Sequence, residues 1–202
     1  ADASYQIAER IRKANAALER IDALNPLIVK QTVLGQEAGP LIEQRSQALA
    51  ELGNLIDIRS HDQGDGSIHI TTSNGTVLLS GSRYQLKYTS PGTATSETVF
   101  SSITAHAVDP ISKTVDPNGI VLDGTLLGGE IKGLLNLRDL VLPDMANELG
   151  RLGGSVIDRI NAAHNASSAF PPPNSLTGRN SGILATDLHG FSGASDFLIT
   201  DS

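Results

Sequence analysis

Five histidines, one aspartate-glycine stretch and one glycine pair are the groups in this chain with ligating or anion-binding chemistry. The histidines are His61, His69, His106, His164 and His189. A metal site wants two or more such ligands at close spacing with acids beside them. His61-Asp62 and His69 meet that condition only if a hairpin brings them together, and exposed strand or loop positions are expected for them instead. No H-E-x-x-H is present. Asp62-Gln-Gly-Asp65-Gly66 has the look of a calcium loop, but it lacks the alternating acidic spacing and the late glutamate, so a hairpin turn is expected. Gly128-Gly129 before a helix could offer N–H groups to an anion. No G-x-x-x-x-G-K follows, and a tight passage from strand to helix is expected. No serine sits in a G-x-S-x-G elbow. The chain has no cysteine, which removes disulfides, thiolate metal sites and thiol catalysis. We therefore assign no catalytic, cofactor-binding or metal-binding residue, expect no cofactor, and read the chain as not an enzyme.

Three further charged residues lie inside apolar helical segments. Arg45 and the pair Arg138-Asp139 suit inter-helix ion pairs that fix register, as polar residues do in coiled coils; solvated flanking positions are the other reading. Asn74-Gly-Thr76 and Asn165-Ala-Ser167 match the N-glycosylation pattern, to which no function is assigned.

The elements that would position these groups are long helices around a β excursion. Ile7, Ile11, Ala14, Leu18 and Ile21 recur at alternating four- and three-residue spacing, a coiled-coil-like stripe within a helix over 4–33. Pro26 removes an N–H and crowds the preceding turn, which predicts a kink or break near Asn25. Gly35 and Gly39-Pro40 make a turn. A second helix follows over 40–56, with Pro40 in its first turn and Leu41, Arg45, Ala48, Leu52 and Leu55 along one side, widened by Ile42, Leu49 and Ile56. The short link predicts antiparallel packing of these two helices.

At Asp57 the period changes to alternation. Ile58, Ile68 and Ile70 alternate with polar residues, Asp62–Ser67 is a turn, and Asn74-Gly75 predicts a type I′ hairpin. Further strands are expected at 76–80, 84–89, 97–108 and 119–122, separated by Pro91-Gly92 and Asp116-Pro-Asn-Gly119. Helix returns over 129–164. Its apolar stripe is Leu134, Leu137, Val141, Met145, Leu149, Leu152, Val156 and Ile160, with Pro143 a point of kinking or restart. Helix three is expected antiparallel to helix two and parallel to helix one. Pro171-Pro-Pro-Asn174 reads as an extended connector, and 182–202 as the start of another β region.

The predicted class is α+β: a discontinuous helical bundle or stalk of three long helices, with an inserted small antiparallel β domain and the start of a second β region. The expected division is 1–56 helical hairpin, 57–128 antiparallel β domain, 129–165 second part of the stalk, and 166–202 linker and further β region. A net charge of −7 disfavours nucleic acid and anionic membrane, because phosphate binding needs clustered Lys and Arg. Aromatics are 3% with no Trp, sparse for a sticky binding surface. No apolar run reaches the roughly 18–20 residues of a membrane span. No basic region leads into an apolar core at the N-terminus, as a classical signal peptide would require. Opening in the middle of a helical pattern, the chain reads as a central fragment of a longer protein.

Two blocks carry a resemblance. Pro40-Leu-Ile-Glu-Gln-Arg-Ser-Gln-Ala-Leu-Ala-Glu-Leu-Gly-Asn-Leu-Ile56 is similar to an L-x-x-x-R-D-x-L-L-x-x-L-S-x-L-V helix that precedes a β hairpin like Gly64–Ile70. Leu127-Gly-Gly-Glu-Ile-Lys-Gly-Leu-Leu-Asn-Leu-Arg-Asp139, through Asn147–Leu152 and Ile160–Asn165, is similar to a G-G-x-L-x-G-L-L-x-x-R-D … L-N-x-L-A … N-x-x-H pattern. Together they resemble the flagellar hook-associated protein 1 family, the hook–filament junction proteins, over about a third of the chain closely. Pro26–Gly35 departs from the family's usual inter-helix linker by being longer and more apolar. The resemblance implies a structural axial subunit of the bacterial flagellum, serving motility. It implies export through the flagellar type III apparatus without a cleaved signal peptide, and an extracellular location. It implies self-assembly into a ring, contact with hook protein and neighbouring hook-associated proteins, and an export chaperone for the full-length chain. Helical parts would lie toward the axis and β parts outward. The fragment alone would be soluble and mostly monomeric. Other readings are flagellin, the third hook-associated protein, or a stalked adhesin or binding module; few aromatics and no calcium motif weigh against the last.

Overall fold

The computed structural model describes residues 2–91 and 98–166. The expected connector and second β region, with His189, lie outside them. Two compact units divide the chain, Ala1–Gly153 and Gly154–Ser202. The order is α1 (Asp2–Val33), α2 (Gly39–Leu55), β1 (Ile58–Asp62), β2 (Ile68–Thr72), β3 (Val77–Ser80), β4 (Ser82–Lys87), β5 (Thr104–Val108), β6 (Val115–Val121), α3 (Gly129–Asn136), a π turn (Leu137–Val141) and α4 (Leu142–Ala166). The class is α+β, and the strands form one antiparallel meander in the order β1-β2-β3-β4-β5-β6.

The first-helix stripe does what its spacing predicts. Ile7, Ile11, Ala14, Leu18 and Ile21 are buried and share one core with Leu52, Ile56, Ile70, Leu79, Leu86, Ile103, Leu122, Ile131 and Leu135. In α2, Arg45, Ala48, Leu52 and Leu55 are buried as a face, while Ile42 is exposed rather than widening it. Arg20 pairs with Glu51 and Asn25 with Arg45. Rising numbers on α1 thus meet falling numbers on α2, and the hairpin is antiparallel as expected.

Pro26 does not break α1, which stays helical for 32 residues. An interior proline costs a helix about 3 kcal/mol. Here tertiary packing offsets that: Ile21 and Ile28 are fully buried on either side. Asn25 is also tied to β2, donating through Nδ2 to the Ile68 carbonyl at 3.0 Å.

Three other expectations fail for identifiable reasons. Asn74-Gly75 is not a type I′ turn, because Gly75 has φ +88° while Asn74 is not left-handed. The Gly75 N–H donates to Thr72 O at 2.8 Å, which is a type I turn followed by a left-handed glycine, with a register shift at Ile70/Thr71. Asp116-Pro-Asn-Gly119 does not separate strands but lies inside β6. β6 is an edge strand, where a missing N–H removes no ladder bond, and the register shift between His106 and Val108 accommodates the extra residues as a bulge. Helix three does not run parallel to helix one. Glu130 pairs with Arg10, and Arg138 bonds Tyr88 Oη, which in turn bonds Ser4. α3 is thus antiparallel to α1, in the same sense as α2. At about 1.5 Å per residue α1 is about 48 Å long, enough to seat α2 and α3 along successive halves.

Candidate functional site

Four polar side chains fasten the elements of the first unit, and two of them left no mark in the sequence patterns. Asn15 on α1 donates through Nδ2 to Leu86 O and accepts from Leu86 N–H through Oδ1, both at 2.8 Å. Asn25, ten residues on, does the same to Ile68 of β2 at 3.0 and 3.4 Å. Each amide replaces a strand partner for one residue of backbone. Asparagine is a poor helix former, so its place beside the apolar stripe is the one local signal that could have pointed here.

Arg45 is buried and makes no inter-helix ion pair. Its Nη1 donates to Asn25 Oδ1 at 3.1 Å and to Gly66 O at 2.6 Å, joining α2, α1 and the first hairpin turn. Burial pulls its pKa below the usual guanidinium value, opposed by the charge of Asp62. Arg138 is buried too. It holds Asp139 through two bonds at 2.6 and 2.8 Å and Tyr88 Oη at 3.1 Å, with Asp123 at 4.0 Å. Its guanidinium lies 4.9 Å from the Phe100 ring centre and 5.8 Å from that of Tyr88, cation–π distances. Burial opposes its charge, but the hydrogen bonds to Asp139 and Tyr88 more than offset this and raise its pKa. Arg45 and Asp139 serve separate clusters.

Among the described residues, His106, Asp62, Asp65 and Gly129 take structural roles. His61 and His69 are directly paired across β1 and β2, so the hairpin does bring them together. Among the described residues no three metal-ligating side chains gather. His106 is buried rather than exposed, held by Thr104 Oγ1 and Asp116 O, each at 2.8 Å. Asp62 accepts from Gly64 N–H and Asp65 from Ser67 N–H and Oγ–H, so the acidic stretch is a hairpin turn. Gly129 has φ +87°, and a Cβ there would stand 2.5 Å from Leu55 O. The glycine pair is a tight passage in which α3 starts against the end of α2.

What stands open is apolar. From the π turn onward, Leu137, Leu140, Val141, Leu142, Met145, Leu149 and Leu152 are exposed; Leu149 and Leu152 retain 66% and 62% of their surface. In the second unit Val156, Ile157 and Ile160 are exposed as well. Among the described residues, the stripe that periodicity marks out is therefore exposed from Leu137 on. Arg138 reaches Ser4, in the first described turn of α1, through Tyr88 Oη. A groove of about 600 Å³ between α1 and α3, lined by Gln6, Arg10, Glu130, Leu134, Leu137 and Val141, adjoins the uncovered face. Exposed apolar patches of this kind mark protein–protein contact. No described helix is long and apolar enough to cross a membrane.

Residues 1–170 match the family model for the flagellar hook-associated protein FlgK helical domain. The chain belongs to that family. The FlgK helical-domain family is a flagellar structural family, not an enzyme family. The chain is 28% identical to flagellar hook-associated protein 1 of Salmonella typhimurium over 160 residues, covering 78% of this chain and 28% of that protein. The Salmonella typhi protein of the same name gives the same figures. That of Escherichia coli K12 is 27% identical over 162 residues, 79% of this chain. The FlgK-like chain thus spans 28% of the length of these relatives. Within Pro26–Gly35, residues 26–33 continue α1.

Proposed function

We propose that this chain is part of an axial structural protein that forms the junction between hook and filament of a bacterial flagellum by subunit packing. The observation that carries this is the uncovered apolar face from Leu137 to Leu152 on a chain of the FlgK helical-domain family. Exposed apolar faces of this kind mark sites of protein–protein contact. In this reading the helical stretches 1–56 and 129–165 form one discontinuous layer that carries axial contacts. The β part, 57–128, faces outward or sideways. The full-length protein self-assembles into a ring, touches hook protein and neighbouring hook-associated proteins, and reaches the cell exterior through the flagellar type III apparatus with an export chaperone and no cleaved signal.

The test is complementation. In a strain lacking the gene, full-length protein with Leu149→Asn and Leu152→Asn is expected to be exported yet to leave hooks without filaments and flagellin in the medium. Normal filaments and motility with both substitutions present would overturn the reading.

A further inference from the structure

The chain contains two Asn-Gly dipeptides, Asn74-Gly75 and Asn118-Gly119, and both asparagines are exposed. In such a pair the glycine amide nitrogen can close onto the asparagine side chain, because glycine has no Cβ to hinder the ring. The two glycine nitrogens are not equally free. Gly75 N–H is spent on Thr72 O at 2.8 Å, closing the β2–β3 turn. Gly119 sits in the edge strand β6. Leu122 N–H donates to Ile103 O, which sets the phase of the β5–β6 ladder. Counting from there, His106 and Gly119 form a non-hydrogen-bonded pair, so Gly119 N–H points away from β5 into the open edge. Glycine is also required at this point, because a Cβ would stand 2.5 Å from His106 Nε2.

We propose that Asn118-Gly119 is a self-modification site, at which the fold leaves Asn118 open to deamidation while it protects Asn74. Water or hydroxide takes the Gly119 amide proton and the nitrogen attacks Asn118 Cγ. A C–N bond forms, the Cγ–NH₂ bond breaks, and ammonia leaves with a proton. Water then opens the succinimide at either carbonyl, giving aspartate or isoaspartate at 118. The net change is amide plus water to carboxylic acid plus ammonia, with no other reactant. The product adds a negative charge beside Asp116 on the edge strand. In the isoaspartate form one backbone carbon is also added where β6 already leaves register, and charge and irregularity are both devices that keep an edge from pairing.

The experiment is incubation of the folded 202-residue chain at mildly alkaline pH in ¹⁸O-labelled water, followed by tryptic mapping. Asn74 falls in the peptide Ser60–Arg83 and Asn118 in Thr114–Lys132, so the two are read separately. The expected result is labelled product severalfold faster at 118 than at 74 in the folded chain, with the two rates converging in urea. Asn118→Gln should abolish the label at 118 and leave 74 unchanged. Equal rates in the folded chain, a faster Asn74, or conversion of neither until urea is added would each overturn the proposal.

Discussion

Asn25 Oδ1 accepts from Arg45 Nη1 at 3.1 Å, one residue before the proline that α1 carries through its interior. The same amide docks on Ile68 of β2. One side chain therefore joins the helical hairpin to the sheet at the point where the helix is weakest. Asn25→Ala and Arg45→Ala should each lower stability by about 1–3 kcal/mol, because each leaves buried polar groups unpaired. Denaturant melts of the double variant should show clearly less than the sum, since the two share one network. Arg45→Lys should rescue little, as an ammonium does not reproduce the guanidinium's fixed fork of donors. Strict additivity would count against the network.

Asp65 and Asp109 have carboxyl pKa values held below the ordinary aspartate range. For Asp65 the main cause is the Ser67 hydroxyl, followed by the Ser67 N–H. For Asp109 it is the Ser112 N–H, followed by that of Ile111. A depressed folded pKa contributes stability that is complete above the unfolded aspartate value and is lost as pH falls through the folded one. The turns at 62–67 and 109–114 should therefore hold at neutral pH and loosen on acidification below the usual aspartate range. Side-chain carboxyl titration by NMR, with amide exchange of Ser67 and Ser112, checks this. Midpoints at or above the ordinary value would contradict it.

Two glycines at the start of α3 should respond oppositely to alanine. Gly129→Ala forces a side chain onto φ +87° and against Leu55 O, so it should destabilise by more than about 1 kcal/mol. Gly133, inside the helix with open space at its Cβ position, should gain about 0.5–1 kcal/mol on the same change. Thermal melts of the two variants give the comparison directly.

Leu18 and Leu149 lie on stripes of the same period with opposite surroundings. Leu18→Ala, from a fully buried position, should cost about 2–5 kcal/mol. Leu149→Ser and Leu152→Ser should each stay within about 0.5 kcal/mol, while the pair lowers binding of a hydrophobic dye. A large stability loss from the second pair would mean that this face is covered within the chain itself.

The first-helix stripe, the face of α2, the Asp62–Ser67 turn and the Gly128-Gly129 passage were legible because neighbours in sequence determine them. The continuity of α1 through Pro26 was not, because the packing that offsets the proline comes from β2 and the core. The direction of α3 depends on which half of α1 remains free after α2 has docked. The burial of His106 is not legible locally, because the carbonyl that covers it, Asp116 O, belongs to a bulge in another strand. The apolar stripe from Leu134 to Ile160 is legible as a stripe, but period gives a face and not its occupant.

The π turn at Leu137–Val141 has a geometric consequence. Its closing bond runs from Leu142 N–H to Leu137 O, one residue more than an α-turn holds. Pro143, which has no N–H to give, follows at once. On an unbroken α-helix the inward positions Ile131, Leu135 and Arg138 would continue as Leu142, Met145, Leu149 and Leu152, at the same alternating spacing. The extra residue turns those later side chains by roughly 100° about the axis relative to that continuation. Angular setting is thereby separated from composition: removing one residue from the turn would swing the leucines of α4 round the helix while Arg138 kept its anchor. The direction in which this chain offers its apolar edge is written in the length of a single turn.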